Sequence, residues 1–341
     1  MRRALTLLAV AIAAIVAGPP LMRAQSGGAL RIHFIDVEGG QATLFALPSG
    51  DALLVDTGWA GLNGRDPDRI AAAAKAAGVT RIDTLVVTHY HLDHVGGVPE
   101  LAKRLPIRRF VDHGPTVETG DQPAALFNAY AAVRDKGEHV VAKPGDTLKV
   151  GDLEVRVVSA NGALITSPLP GAGAANPACA GYTAKAADPT ENARSVGMLI
   201  SYGQFRLLDL GDLTWNKEHD LVCPNNLLGT VDVYLTTHHG LDQAGLPALV
   251  HAVHPRVAIM NNGARKGGSA EAWTTVRTSP GLDDLWQLHY ATGSDMAHNV
   301  GEPFIANLDE TTANEITIGA ERSGSFVVTN PRNSKQKRYQ K

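Results

Sequence analysis

A layered α/β architecture with mixed sheets is the fold class this sequence predicts, and three observations predict it. Short apolar runs rich in Val, Ile and Leu recur along the chain, often in hairpin-like pairs bounded by Gly, Pro, Asn or Asp. Stretches of helical period fall between them. Histidines and carboxylates collect where apolar runs end, at 56, 89–94, 212 and 238–239.

In chain order, Arg2 and Arg3 precede the apolar run Ala4 to Ala17, followed by Gly18, Pro19, Pro20 and a small residue at Ala24. This reads as an export signal over residues 1–24. The run is shorter than the roughly 20 residues a comfortable membrane span needs, and an uncleaved anchor is the alternative. Removing the leader takes away three arginines and no acid, which moves the formal net charge from −3 to −6. A mildly acidic body offers no general attraction for nucleic acid or anionic lipid.

Roughly 315 residues remain, enough for one large core, and no linker or repeat divides them. The expectation is a single domain over 26–330 and a basic, frayed tail over 331–341 carrying Arg332, Lys335, Lys337, Arg338 and Lys341. Strands are expected at 30–37, 42–47 and 52–56, with a helix at 68–77 ended by Gly78. A strand at 82–87 leads into the histidines, and a helical stretch follows from Val98 to Leu105. Next come a strand near 107–112, a helix at 123–135, and strands at 147–150, 153–159, 196–202 and 205–209. The last third reads as strand 231–237, helix 245–252, strand 257–260, helix 270–277 and a hairpin at 315–329. Residues 160–192 are rich in Gly, Ala and Pro and have no period. Such a loop either folds over the site as a partial lid or is a surface insertion. Cys179 and Cys223 could pair in an oxidising compartment, which spacing alone leaves open.

The chemistry is densest in THYHLDHVGG, residues 88–97. His89 and His91 are two apart, so extended backbone puts both imidazoles on one side. Asp93 and His94 follow at once. Four candidate ligands in six residues can serve two metal ions, His89 and His91 on one, Asp93 and His94 on the other. Imidazole with carboxylate suits zinc best, with manganese or iron as alternatives. Asp56 in LLVDTG ends a strand and can orient the cluster through hydrogen bonds. Asp212 in FRLLDLGDLTW could bridge two cations, and His238 and His239 in VDVYLTTHHG close a third strand-end motif. Singly, each of these reads as easily as a turn residue or an ordinary histidine.

LLVDTG, THYHLDHVGG, LGD and TTHHG, in this order, resemble the metallo-β-lactamase-fold superfamily of hydrolases. The opening IHFIDVEGGQATLF and the segment ENARSVGMLISYGQFRLLDLGD resemble one branch, the hydrolase domain of the competence protein ComEC and its stand-alone relatives. The resemblance covers roughly Leu30 to Asn262. It implies an αββα sandwich, two mixed β-sheets flanked by helices, with a dinuclear site at one edge. Carried over by position, His89 and His91 hold the first metal, Asp93 and His94 the second, Asp212 bridges, and His239 completes the second metal. His238 is then a neighbour or a proton donor to the leaving group. Many superfamily hydrolases place a further histidine before the strand that begins near Ser195. Here the chain has Glu191, Asn192, Ala193 and Arg194, and Asn192 and Ser195 become candidate contacts for substrate or water.

The expected activity is hydrolysis by metal-activated hydroxide with two Zn2+, and Asp93, His238 and Asp56 as candidate catalytic residues. The favoured substrate is a small or locally bound phosphodiester, met in the periplasm or outside the cell, with no extended nucleic-acid surface. Arg194, Arg265 and Lys266 are candidate phosphate contacts. The competing reading is a lactone, β-lactam or amide hydrolase, with a pocket lined from Trp59, Trp215 and Trp286, although these read more readily as core. A third is a non-catalytic metal-binding protein. His289, His298 and Asn299 are considered as late substrate contacts.

Overall fold

The computed structural model describes residues 28–341, so the leader expected over 1–24 lies outside the described residues. The chain begins with an antiparallel meander of β1 (Leu30–Phe34), β2 (Thr43–Ala46) and β3 (Ala52–Val55). It then turns to βα units: α1 (Arg65–Ala76), β4 (Thr84–Val86), α2 (Leu92–Val95), α3 (Val98–Leu101), β5 (Arg109–Asp112), α4 (Asp121–Arg134) and β6 (Glu138–Val141). From β3 to β6 neighbouring strands are parallel.

The second half repeats this plan. Strands β7 (Thr147–Val150), β8 (Leu153–Ala160), β9 (Ala163–Leu164), β10 (Gly197–Tyr202) and β11 (Phe205–Asp209) pair antiparallel. They are followed by α5 (Trp215–Val222), β12 (Val233–Leu235), α6 (Pro247–Val253), β13 (Val257–Met260), α7 (Ala270–Arg277), β14 (Asp284–His289) and β15 (Ile305–Asn307), whose strands are parallel. The chain then returns to the first sheet, where β16 (Ile316–Ala320) pairs with β1, and β17 (Phe326–Asn330) and β18 (Lys335–Tyr339) extend the edge.

The sheet orders are β18-β17-β16-β1-β2-β3-β4-β5-β6 and β15-β14-β13-β12-β11-β10-β8-β7, with β9 on β8. Alternation along the strands sets the layers. Leu53, Val55 and Val86 meet Val155, Leu207, Val233 and Trp286 in a core between the sheets. Leu54, Leu85 and Val87 point the other way, into a second core with Ile70 of α1 and Tyr130 of α4. Leu208, Tyr234 and Ala258 do the same on the far side, against Leu221, Leu249 and Val276. Apolar residues on both faces explain the unbroken runs in the sequence. The result is the αββα sandwich.

Several elements were not legible. Strand β6 is mostly exposed, and β18 reads KQKRY, with only Tyr339 buried. The basic tail is therefore an ordered edge strand. Tyr339 stacks on Phe326, its hydroxyl accepts from Trp286 Nε1 at 3.1 Å, and lysines and an arginine occupy the outer positions, which guards a sheet edge against pairing.

Residues 160–192 do not cover the strand ends that carry the histidines over most of their length. Backbone bonds tie Leu169 to Leu227, Gly173 to Asn226 and Asn176 to Pro224. Tyr182 stacks on His219 of α5, Lys185 lies over the Trp215 ring, and Cys179 forms a disulfide with Cys223, with Cα atoms 5.8 Å apart. The partial-lid expectation gives way to a strap docked on α5. Replacing both cysteines by serine is expected to cost about 3 kcal/mol in denaturant unfolding and to open residues 165–188 to limited proteolysis. A loss below about 1 kcal/mol with unchanged proteolysis would mean that side-chain docking alone holds the strap.

Candidate metal centre

Every residue of the cluster follows a strand. Asp56 follows β3, His89 to His94 follow β4, Asp212 follows β11, His238 and His239 follow β12, and Asn261 follows β13. The ends of the two sheets thus converge on one place. Asp56, His238 and His239 have φ of 59°, 53° and 56°, left-handed values that non-glycine residues adopt at a cost. Gly96 and Gly97 let the 57–60 turn pack against the histidine loop: a Cβ at Gly97 would strike the Thr57 carbonyl, and one at Gly96 the Ala60 amide.

Asp56 is fully buried. Its carboxylate accepts from the Thr88 amide at 2.8 Å and hydroxyl at 2.6 Å, and stands 2.8 Å from His94 Nδ1. A carboxylate can only accept, so His94 Nδ1–H donates and Nε2 faces inward; burial opposes charge on the ring, but Asp212, Asp93 and Asp56 raise the imidazole well above its usual range. Glu118 does the same for His91, at 2.8 Å from Nε2, so that His91 Nδ1 faces His89 Nε2 at 3.0 Å. Asn261 lies 3.3 Å from His239 Nδ1, and its Oδ1 is buried without a partner. Turning that amide over lets Oδ1 accept from Nδ1–H and leaves His239 Nε2 as a lone pair.

Around the inward-facing nitrogens stand two carboxylates. Asp93 Oδ2 lies 3.3 Å from both His94 Nε2 and His239 Nε2. Asp212 is 3.2 Å from His94, 3.4 Å from His239, 3.3 Å from His238 and 3.8 Å from His89. The ligand atoms of Asp93, His94, Asp212 and His239 all fall within 4.8 Å of one another. Burial works against the charge on both aspartates, yet the surrounding imidazoles, joined at Asp93 by Lys266, hold both carboxyls well below their usual range. Burial and His94 together push His89 down. His94 Nε2 and His239 Nε2 meet at 3.2 Å, and the buried Asp212 Oδ1 has no hydrogen-bond donor. Imidazole nitrogens crowded against one another and an orphaned carboxylate oxygen are what a divalent cation satisfies once it displaces the His94 proton, and this N/O donor set fits zinc, manganese or iron.

Residues 35–179 match the family model described as the metallo-beta-lactamase superfamily. Over that stretch the chain is similar to the metallo-β-lactamase superfamily. It is similar to ribonuclease Z from Methanopyrus kandleri, at 30% identity over 112 residues, 32% of this chain and 36% of that protein. Hydroxyacylglutathione hydrolase from Rhodopseudomonas palustris matches at 30% over 82 residues, 24% of this chain and 26% of that one. ComE operon protein 3 from Bacillus subtilis matches at 25% over 193 residues, 55% of this chain and 21% of that protein. The chain therefore spans little more than a third, or less, of the relatives it matches.

The remaining candidates separate clearly. His238 presents Nε2 to Asp212, and burial pushes its imidazole down to about 4, so it is neutral. Ser195 is fully buried, and its hydroxyl accepts the Asp212 amide at 3.2 Å, so it positions Asp212 and is not free for substrate. Asn192 is 9% exposed, and its Oδ1 has no partner. The fully buried Glu191 accepts from His113 Nε2 at 2.7 Å, the Thr116 hydroxyl at 2.8 Å and the Val117 amide at 2.7 Å. Of the tryptophans, Trp286 is in the central core and Trp215 lies under Lys185 on α5, which leaves Trp59 alone near the cluster. His289 pairs with Asp36, His298 with Asp295, and Asn299 bonds the Ala291 amide, so these three are engaged elsewhere. Arg194 bonds the Asn161 carbonyl, and the exposed Arg265 pairs with Glu310.

Sequence reading missed Thr88, Glu118 and Asn261, and it named Lys266 as a candidate phosphate contact without foreseeing its contact with Asp93. Glu118 belongs to no strand-end pattern, whereas Thr88, abutting His89, and Asn261, directly after β13, carried a usable signal.

Two outcomes follow from these contacts. Asp56→Asn takes away the acceptor that sets the His94 tautomer, and zinc affinity measured by chelator competition should fall about 10- to 100-fold. Glu191 is lowered from 4.5 to about 2: burial opposes its charge, but His113, Val117 and Thr116 outweigh it. Its contribution to stability is therefore present above pH 4.5 and lost as pH falls toward 2. Glu191→Gln should lower stability at pH 7 by about 3 kcal/mol and flatten the acid limb of the unfolding curve.

Proposed function

We propose that this chain is an exported dinuclear-metal hydrolase of phosphodiester bonds. The observation that carries the reading is the buried set of Asp93, His94, Asp212 and His239, with His89 and His91 beside it. Bound divalent cations supply Lewis acidity and bring water toward deprotonation near neutral pH. His94 and His239 would hold one ion together with Asp93, His89 and His91 the other, and Asp212 would reach both. Asp56, Glu118 and Asn261 fix the imidazoles, and Ser195 and His238 hold Asp212. The neutral, buried His238 suits that positioning role better than proton delivery to a leaving group.

The choice of bond rests on two supports. One relative is a ribonuclease, and the longest of the three matches is to ComE operon protein 3. A lysine, Lys266, also stands at the cluster where an anionic substrate would approach. Similarity to hydroxyacylglutathione hydrolase favours the competing reading of a lactone, β-lactam or amide hydrolase. Export is supported by the leader pattern and by the Cys179–Cys223 disulfide, which persists in oxidising compartments. No described helix is long and apolar enough to cross a membrane.

Metal-loaded protein should hydrolyse bis(p-nitrophenyl) phosphate, with kcat/KM reduced about 100-fold or more by Asp212→Ala or His91→Ala. Turnover of a lactone or a chromogenic cephalosporin without the diester would overturn the phosphodiester reading. Metal binding with no turnover on any of the three would instead favour a non-catalytic metal protein.

A further inference from the structure

Lys266 lies on the loop after β13, where its carbonyl accepts the Gly263 amide at 2.8 Å. The backbone of Gly39 backs this loop so closely that an added Cβ would sit 2.9 Å from Lys266 Cβ. The ammonium contacts Asp93 Oδ2, the oxygen that also lies 3.3 Å from His94 Nε2 and His239 Nε2. On its other side the Trp59 ring centroid is 5.1 Å away. The lysine side chain is 29% exposed and that of Asp93 9%, so Lys266 stands between the buried cluster and solvent.

One carboxylate oxygen thus has two cationic claimants. A divalent ion bound by Asp93, His94, Asp212 and His239 draws on the charge that now holds the ammonium, and it repels that ammonium at short range. Lysine is suited to such a handover: it is a compact point charge on a flexible stem, and a good partner for phosphate. The Trp59 face offers the displaced ammonium a cation–π contact at the mouth of the site.

We propose that Lys266 is the counter-ion of Asp93 in the metal-free protein and becomes the phosphate-binding cation once metal takes that carboxylate, with Trp59 beside it. The phosphate half rests on the phosphodiester reading above, and the counter-ion half does not. The test uses the full chain and K266M, which keeps the stem without the charge. Zinc affinity is measured by chelator competition in phosphate-free buffer, and inorganic phosphate binding to the zinc-loaded protein by calorimetry. Removing the competing ammonium should tighten zinc binding about 3- to 10-fold, and removing the phosphate contact should weaken phosphate binding about tenfold. K266R should restore phosphate binding. Weaker zinc binding in K266M, or zinc and phosphate affinities both within twofold of the wild type, would overturn the proposal. So would phosphate binding that K266R fails to restore. K266Q carries the same comparison if K266M does not fold. Neither measurement depends on turnover: a wild-type enzyme that cleaves lactone and not diester ends the phosphodiester reading, while the two affinities still decide the role of Lys266.

Discussion

The site depends on the buried carboxylate of Asp56. It joins the ends of β3 and β4 by accepting the amide and hydroxyl of Thr88, and with the same group it accepts from His94 Nδ1 and so turns Nε2 toward the cluster. The carboxylate acts within the fold: its two oxygens are spent on three donors, and it is fully buried. Left-handed backbone at Asp56 is the local cost of aiming the side chain back across the strand ends. The same logic recurs at Glu118 for His91 and at Asn261 for His239, so each orienting group comes from a segment other than that of the imidazole it sets.

Two sheets are needed to build such a centre. One supplies His89, His91, Asp93 and His94 from a single loop, and the other supplies Asp212 and His239 from adjacent strands. The central apolar core fixes the spacing between them. Val86 and Leu207 lie in that core, one strand segment before the ligands, so packing between the sheets translates directly into distances between ligand atoms. Ser195 and His238 then brace Asp212 from either side. The loop over 160–192 contributes by ending in Glu191, whose buried bonds to His113, Thr116 and Val117 tie the start of β10 to the segment carrying Glu118.

Much of this was legible because the periodicity is strong. Strands β7, β11 and β13 and helix α7 fall where the pattern puts them, and the strand-end motifs mark where side chains can gather. The edges were not legible. Strand β18 looks like a solvated tail because an edge strand exposes most of its side chains, and its stabilisation comes from Phe326 and Trp286, which are distant in sequence. The strap on α5 was opaque for the same reason: a Gly-, Ala- and Pro-rich segment is held by one disulfide, one ring stack, the Lys185–Trp215 contact and backbone bonds to residues 224–227, none of which has a period.

By itself the sequence determined the layered α/β class, the strand ends that carry chemistry, and the residue types that suit a divalent metal, because alternation, turn residues and clustered histidines act locally. Only the tertiary structure decided which of two neighbouring histidines faces Asp93, that Ser195 serves Asp212, and that Lys266 shares the carboxylate of Asp93. Those relations join residues tens to more than a hundred positions apart, and they are set by how two sheets pack and not by any pattern along one chain segment.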